Sequence, residues 1–400
     1  MSVLLQPQYA GRFRCIGPDC EDTCCHYWKI AIDKKTYQRY RSCPDPGFRA
    51  KLDKYVVRNR STPTDNNYAK IKLDESGYCP FLDNERLCSI QRNWGKDYLS
   101  EICATYPRTF FRVDDAWEMA IQLSCPAAAR LALLDPNPME FEYVANPYSL
   151  STKKYREFKS AVPDQKNKNK RYFWPIRIFV ISLLQNRSYL LWQRMVILGF
   201  FMNAIENIDN PEEIPSVIEK YDNRVAGGAF QGALDEIPAQ DDVQLGLLLQ
   251  LFQYRFTTAV TPKFLECSKK FTEVIAPEEE LKDEVVAQRF KEAFEHYYIP
   301  FMNDHEYILE NYLVHQVFKS KLQLFSDYVL LVLNYAIVKL LLVGIAGYYK
   351  ETFSTDHAIE LIYSFSRNIE HNVQYLDEIY RMFEENELNT LPYMAILLRN

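Results

Sequence analysis

Hydrophobic residues recur with a helical period through most of the chain after residue 173. Residues 176–184 and 190–205 carry apolar side chains at positions i, i+3, i+4 and i+7, and 241–256 repeats this pattern. The segment 278–298 is amphipathic, with its charged residues on the opposite face. Further helices are predicted at 306–318, 322–348, 356–370 and 371–387. Because no fixed period repeats, the pattern favours a helical bundle over a solenoid.

The first third of the chain is predicted to form shorter elements. Residues 28–33 alternate like a strand, and residues 33–40 are expected to form a helix with Asp33 as its N-cap. Residues 98–103 fit one face of a helix that would project Cys103 from its last turn.

The fold class predicted from these patterns is mainly α. We expect a cysteine-rich amino-terminal domain of short strands and helices at 1–150 and a helical domain at 173–400. Residues 151–172 between them are polar and rich in lysine, which is typical of a solvated linker or a surface loop.

Charge and hydropathy limit the classes of partner. A formal net charge of −6 argues against general nucleic-acid binding, which needs a basic face. The stretch Val329–Gly347 is apolar enough to suggest a membrane span, but it contains Asn334 and Lys339, so a buried bundle helix is favoured. The short apolar run after Met1 does not match a secretory signal, and we expect a cytoplasmic protein without a membrane partner.

Cysteine placement is the strongest chemical signal. Nine of the ten cysteines lie between Cys15 and Cys125, and the tenth is Cys267. In a reducing cytoplasm such clustered thiols indicate metal ligands or redox groups rather than disulfides. The candidate metal ligands are Cys15, Cys20, Cys24, Cys25, Cys79, Cys88, Cys103 and Cys125. Cys43 fits no cluster.

Thiolates bind both zinc and iron–sulfur clusters. The residues alone therefore leave three alternatives open, namely zinc, iron–sulfur or no metal. The histidine nearest to these cysteines is His26, so all-cysteine ligation favours iron–sulfur. Side chains of the adjacent Cys24 and Cys25 point in different directions, so one segment would not give both to one metal.

Common catalytic motifs are missing from the sequence. It contains no glycine-rich dinucleotide fingerprint, Walker A loop, G-x-S-x-G elbow or H-E-x-x-H helix. The six histidines are dispersed at His26, His296, His305, His315, His357 and His371. Each is interpreted as a structural or surface residue.

The cysteine segments and their flanks resemble one known family, the flagellin lysine N-methylases, which are related to cysteine-rich proteins described as zinc- or iron-chelating. The matching features are the eight cysteines in order, with Trp28, Ile32-Asp33, Pro80-Phe81-Leu82, Leu87, Ile90, Gly95, Tyr106-Pro107-Arg108, Leu123-Ser124, Pro126 and Ala128. The match is tight over about the first third, while the rest agrees only in length and helical character.

This resemblance implies methyl transfer from S-adenosyl-L-methionine to the amines of surface lysines in flagellin. It also implies a [4Fe–4S] cluster held by some of these cysteines. Two alternatives remain: a non-catalytic zinc- or iron-binding module with a helical partner-binding domain, and a cluster-dependent redox enzyme.

Methyl transfer requires a neutral lysine amine, and this requirement suggests candidate residues. Asp114, Asp115 and Glu118 are candidate bases, although a solvated turn would also explain them. Tyr106 and Trp117 could line a lysine channel or simply pack in the core. Tyr106 and Arg108 are the candidate cofactor-binding residues, because a guanidinium can pair with the ligand carboxylate; a structural ion pair is the alternative for Arg108.

Overall fold

The computed structural model describes most of the chain, namely residues 3–61, 63–145, 156–162, 164, 167–255, 260–276, 283–320, 324–369 and 372–399. Within these ranges the protein is mainly helical, which confirms the predicted class, and its strands all lie before residue 159.

Eight strands form two sheets within the described ranges. They are β1 (Val3–Pro7), β2 (Ala31–Ile32), β3 (Val56–Arg58), β4 (Ala69–Ile71), β5 (Arg108–Val113), β6 (Ala116–Ile121), β7 (Phe141–Ala145) and β8 (Arg156–Phe158). The larger sheet has the order β7-β1-β6-β5-β8, and the smaller, antiparallel one has the order β2-β4-β3.

A hairpin fixes the register of the larger sheet. Strands β5 and β6 pair antiparallel from Arg108 opposite Ile121 to Val113 opposite Ala116. The turn between them holds Asp114 at φ 52°, a left-handed conformation that aspartate tolerates better than most residues. Strand β1 pairs parallel with β6 and antiparallel with β7, while β8 adds to β5 in parallel.

Eighteen α-helices lie within the described ranges. They are α1 (Gln8–Arg12), α2 (Lys34–Arg41), α3 (Pro46–Tyr55), α4 (Ser89–Trp94), α5 (Glu101–Thr105), α6 (Pro126–Leu133), α7 (Phe173–Leu184), α8 (Leu191–Glu206), α9 (Ile214–Ala226), α10 (Asp241–Arg255), α11 (Pro262–Ile275), α12 (Asp283–Ala293), α13 (Ile299–His305), α14 (Tyr307–Lys319), α15 (Phe325–Tyr349), α16 (Thr355–Ile369), α17 (Val373–Glu385) and α18 (Leu391–Leu398). Short 3₁₀ turns occur at Gly17–Asp19, Lys96–Tyr98, Lys170–Tyr172, Pro211–Glu213 and Lys350–Thr352, and a π-helical turn, Phe294–Tyr298, joins α12 to α13.

The main hydrophobic core extends across the predicted domain boundary. Buried residues of β1, β6 and α6, such as Leu4, Met119 and Ala129, belong to the same core as Ile176, Met195 and Leu341 in the helical part. The boundary near residue 150 stays a prediction, but the two parts of the chain bury apolar surface against each other.

The cysteine-rich segments have a second, smaller core. It contains Ile30, Ile32, Tyr40, Leu52 and Phe81, together with the buried thiols of Cys43 and Cys79. The half-buried Cys25, Cys88 and Cys103 pack at its edge, beside Trp28. Short strands and helices of this region therefore converge on the cysteines.

Helix α15 contains the apolar stretch that the sequence analysis weighed as a membrane span. By length and composition it is the one helix among the described residues that could cross a membrane, yet 83% of its most apolar window is buried inside the protein. Lys339 is itself buried there. The helix packs against α8, α11, α12 and α16, in the manner of a bundle core.

The structure confirms some of the predicted element boundaries and corrects others. Asp33 caps α2, accepting a hydrogen bond from Thr36 N at 2.8 Å, as predicted. The helix expected at 98–103 begins later, at Glu101, because Ser100 caps it; Cys103 therefore lies mid-helix. Part of the predicted linker 151–172 is a strand, since β8 pairs with β5. Predicted positions 146–155, 163, 165–166, 256, 278–282, 322–323, 370 and His371 lie outside the described residues.

Candidate functional site

Backbone contacts join the separate cysteine segments. Cys79 N donates a hydrogen bond to Cys25 O at 2.8 Å, and His26 forms an antiparallel bridge with Tyr78. A second bridge joins Leu82 to Cys88. These contacts bring the first cysteine loop beside the Cys79–Cys88 segment, as metal ligation from remote segments would require.

Five thiols form one group, the thiol cluster, made of Cys24, Cys25, Cys79, Cys88 and Cys103. The thiols of Cys24 and Cys25 are hydrogen-bonded, as are those of Cys25 and Cys79. Cys88 and Cys103 lie close enough to interact electrostatically with Cys24.

Mutual hydrogen bonds and burial raise the pKa values of four of these thiols. The hydrogen bond with Cys25, followed by burial, raises the pKa of Cys24. The hydrogen bond from Cys24 lowers the pKa of Cys25, but the hydrogen bond with Cys79 and burial outweigh it and raise the pKa overall. Burial raises the pKa of Cys88, and that of Cys103 to about 12.

The remaining predicted ligands lie around this cluster. Cys20 and Cys125 interact electrostatically with each other and with Cys24; burial raises the pKa of Cys20, and that of Cys125 to about 12. Cys15 is exposed on the loop after α1. The two cysteines left outside the prediction are buried elsewhere, Cys43 in the smaller core and Cys267 in the main core.

All eight candidate ligands are free thiols, which is the type of side chain that binds zinc or an iron–sulfur cluster. Across the described residues, no group of three or more His, Cys, Asp or Glu side chains has the spacing that would hold a metal ion. Protonated thiols must lose their protons when a metal binds. The eight-cysteine ligand set therefore stays a prediction.

An open cleft of about 480 Å³ lies beside the thiol cluster. Aromatic, cationic and amide side chains line it, namely Tyr27, Trp28, Lys29, Ile102, Thr105, Tyr106, Arg108, Thr109, Gln122 and Arg367. A smaller adjoining pocket is lined by Cys24, Trp28, Tyr106, Ser124 and Arg367. Three lining residues are shared, and Cys24 of the thiol cluster lines the small pocket, so the cleft lies next to the cluster at Cys24.

Both predicted cofactor-binding residues line this cleft. Tyr106 shares a hydrogen bond of 3.2 Å with the Ser124 hydroxyl, and its ring centroid lies 5.4 Å from that of Trp28. Burial raises the pKa of Tyr106, which stays a neutral phenol. The Arg108 guanidinium lies 5.0 Å from the centre of the Phe13 ring and forms no ion pair within the described part of the chain.

Arg367 is a cleft residue that the sequence analysis missed. It lies on α16, far along the chain, and pairs with Asp22 of the Cys20–Cys24 loop at 2.6 Å. Both side chains are nearly buried, at 7% and 11% exposure. Its guanidinium also hydrogen-bonds Tyr106. No motif marks this arginine, because only folding brings α16 to the cysteine loop.

The three candidate bases are not part of the cleft lining as the described residues define it. Glu118 is buried and accepts two hydrogen bonds from Arg177, at 2.9 and 2.5 Å. Asp114 accepts hydrogen bonds from Ser160 and Trp174, which outweigh its desolvation and lower its pKa. Asp115 is fully exposed in the same turn.

Trp117 also differs from its predicted setting. It lies in β6 opposite Leu4 and packs against the main core, whereas Trp28 is the tryptophan beside Tyr106. Of the suggested channel pair, only Tyr106 therefore reaches the cleft.

Comparison with known proteins assigns the family. Residues 177–397 match the FliB lysine N-methylase C-terminal domain, which is a class defined by lysine methylation. Because the match covers more than half of the 400 residues, the chain belongs to the FliB lysine N-methylase family, as the cysteine motifs predicted.

Individual relatives agree with this assignment. The chain is 31% identical over 138 residues to the lysine-N-methylase of Salmonella typhimurium, a match covering 34% of each chain. It is 31% identical over 138 residues to the flagellar biosynthetic protein FliU of Salmonella muenchen, covering 80% of that protein. The matched part spans about a third of the length of the curated lysine-N-methylases. No solved structure matches the chain.

Proposed function

We propose that this protein is a cytoplasmic protein-lysine N-methyltransferase that uses S-adenosyl-L-methionine to methylate flagellin, with a [4Fe–4S] cluster held by cysteines of its first third. The names of its relatives support lysine methylation and a flagellar substrate. The donor and the cluster rest on the family resemblance and on the chemistry of the cysteine-rich region.

The observation that carries the proposal is the cleft that adjoins the thiol cluster. It combines the guanidinium of Arg108, which has no ion-pair partner among the described residues, with the aromatic rings of Tyr27, Trp28 and Tyr106. A guanidinium pairs well with the carboxylate of the donor, and aromatic faces attract its sulfonium and adenine ring. The cleft therefore offers a binding surface for the carboxylate, the sulfonium and the adenine ring of this donor.

The electrostatics of the cleft also suit the acceptor. In the transfer, the lone pair of a neutral lysine amine attacks the methyl carbon, the carbon–sulfur bond breaks, and the sulfonium becomes a neutral thioether. The amine then loses one proton to solvent. Arg108, Arg367 and Lys29 are positive neighbours, and positive charge lowers the pKa of an entering lysine. The cleft would thus supply more of the neutral amine.

A [4Fe–4S] cluster, when bound, would cross-link the separate cysteine segments and could supply an open iron or an electron. At most four thiolates can hold such a cluster, and they would come from the thiol cluster of Cys24, Cys25, Cys79, Cys88 and Cys103. What the protein's own residues contribute is the binding and orientation of donor and amine in the adjoining cleft.

Anaerobic purification followed by a methylation assay tests this function. We expect a brown protein with matched iron and sulfide contents, and methyl-lysine on purified flagellin given S-adenosyl-L-methionine, detected by mass spectrometry. Cys79→Ser and Cys103→Ser should lose iron, whereas Cys267→Ala, outside the cluster, should keep it.

Two other results would contradict the proposal. A colourless protein that contains zinc and leaves flagellin unmodified would indicate a non-catalytic metal-binding module. An iron-loaded protein that leaves flagellin unmodified in the presence of the donor would retain the cluster and remove the methyltransferase function.

A further inference from the structure

Two residues of the cleft lining each have a buried polar atom without a hydrogen-bond partner in the described part of the protein. These atoms are the donor Nε of Arg108 and the acceptor Oε1 of Gln122. Both residues line the cleft, and the Arg108 guanidinium has no ion-pair partner among the described residues. A buried donor or acceptor left unpaired costs about 1–3 kcal/mol, so a ligand that satisfies both atoms would be stabilised in this cleft.

The hairpin places these two residues at the same end of the larger sheet, in positions diagonal to each other. Arg108 opens β5 opposite Ile121, and Gln122 follows directly, its backbone N–H donating to Pro107 O at 2.8 Å. The Gln122 amide nitrogen donates to the Thr109 hydroxyl at 2.6 Å. One N–H of the amide is used in this bond, and the amide oxygen is the acceptor that Gln122 can offer to a ligand.

We propose that Arg108 and Gln122 form a recognition pair for an α-amino acid head group. The Arg108 guanidinium binds the carboxylate, and Gln122 Oε1 accepts a hydrogen bond from the α-ammonium. This inference rests on the proposed function, because the head group in question is the methionyl end of the sulfonium donor. It adds Gln122 as a specificity-determining residue.

The charges around the pair support this assignment. The cleft lining contains no aspartate or glutamate among its described residues, so no side-chain carboxylate on the wall competes with the ligand for Arg108. The second guanidinium, Arg367, is already paired with Asp22 at 2.6 Å. Of the two guanidiniums, Arg108 is therefore the one without an ion-pair partner among the described residues, and the third cation of the lining, Lys29, is exposed. Its Nε and Gln122 Oε1 are shielded from water, so we expect these side chains to rotate when the head group enters.

A pair of probes that differ only in the head group tests the assignment. S-adenosylhomocysteine carries the amino acid end, and 5′-methylthioadenosine has the same adenosine and thioether without it. By calorimetry on the full-length protein we expect S-adenosylhomocysteine to bind roughly 10- to 100-fold more tightly. Arg108→Leu and Gln122→Leu should remove most of that preference, while the affinity for 5′-methylthioadenosine stays unchanged and reports an intact cleft.

Two further variants sharpen the result. Gln122→Glu adds a carboxylate that would pair with Arg108 in place of the ligand, so it should also reduce the preference. Arg112→Leu, on the same strand as Arg108 but outside the cleft lining, should bind both probes like the wild type.

Equal binding of the two probes to the wild type would overturn the recognition pair, and so would a preference that survives both leucine variants. Either result leaves the methyltransferase function standing if flagellin is still methylated. A protein that binds neither probe and methylates nothing would instead remove the proposed function.

Discussion

At the scale of single residues, burial and pairing decide which charged groups can serve a ligand. Glu118 and Arg177 are almost fully buried, at 2% and 5% side-chain exposure, and satisfy each other. Asp114 is fixed by Ser160 and Trp174. Arg108 has no ion-pair partner in the described residues and lines the cleft. The arginine is thus free to act on a ligand, whereas Glu118 and Asp114 stabilise the fold.

We expect Glu118→Gln to destabilise the protein rather than to impair the chemistry. The change leaves Arg177 buried beside a neutral partner, and breaking a buried pair costs about 3–5 kcal/mol. Denaturant unfolding should show this loss, while Asp115→Asn, at a fully exposed position, should change stability by less than about 0.5 kcal/mol. Unchanged stability combined with a large loss of methylation rate would instead support Glu118 as the base.

At the scale of elements, periodicity located the longer helices after residue 173 and missed several shorter helices and most of the strands. Predicted segments 176–184, 190–205 and 306–318 agree with α7, α8 and α14 to within a few residues, because continuous apolar faces mark them. Helices α1, α3, α4, α6, α9, α11, α13 and α18 were not predicted. Among the eight described strands β2 was predicted and the other seven were missed, including the local hairpin of β5 and β6. For β3 and β8 the pairing partners lie elsewhere in the chain and leave no local pattern.

The same limit applies to the candidate site. Motifs identified the cysteines, Tyr106 and Arg108, because they lie in segments with distinctive spacing. Arg367 and Gln122 carry no such signal, since the first depends on how α16 docks and the second on the register of one hairpin. Spacing along the chain could not show that Asp114 and Glu118 lie outside the cleft lining.

Close packing of α15 leads to a prediction about glycine. A methyl group added at Gly347 would lie 2.7 Å from Cβ of Ala293 and 2.9 Å from Val274, on two neighbouring helices. We expect Gly347→Ala to cost about 1–3 kcal/mol through overpacking. Gly246, exposed on α10 with no described atom within 4 Å of an added methyl, is the matched control.

Gly246→Ala should be neutral or stabilise the protein by up to about 1 kcal/mol, because alanine loses less backbone entropy in a helix. Thermal and denaturant unfolding of the two variants measure the contrast. Equal stabilities would mean that α15 shifts to accommodate the added methyl and that its packing is looser than described.

At the scale of the whole molecule, α16 ties the family-defining helical part to the cysteine-rich part. Arg367 pairs with Asp22 at the carboxyl-terminal end of the helix. At its other end, Asp356 pairs with Arg130 at 3.3 Å, and Arg130 also pairs with Glu21. Two adjacent residues of the Cys20–Cys24 loop are therefore held, directly or through one arginine, by a single helix.

This arrangement predicts energetic coupling across the molecule. Asp22→Asn and Arg367→Gln should each be strongly destabilising, because each leaves a nearly buried charge unpaired. The double variant should lose less unfolding free energy than the two single variants lose in total. The coupling should exceed about 1.5 kcal/mol. The exposed pair Glu85 and Arg92, also within ion-pair distance, is the control and should couple by less than about 1 kcal/mol.

Hydrogen exchange on the same variants separates a local effect from a global one. If α16 holds the loop, Arg367→Gln should speed exchange at Cys20–Cys24 as well as at the end of α16, and it should weaken S-adenosylhomocysteine binding because Arg367 also contacts Tyr106 in the cleft. Glu85→Gln should leave both regions as in the wild type. Faster exchange confined to α16, with coupling no larger than in the exposed pair, would mean that the loop keeps its position without this helix, and the cleft would then depend on the cysteine-rich part alone.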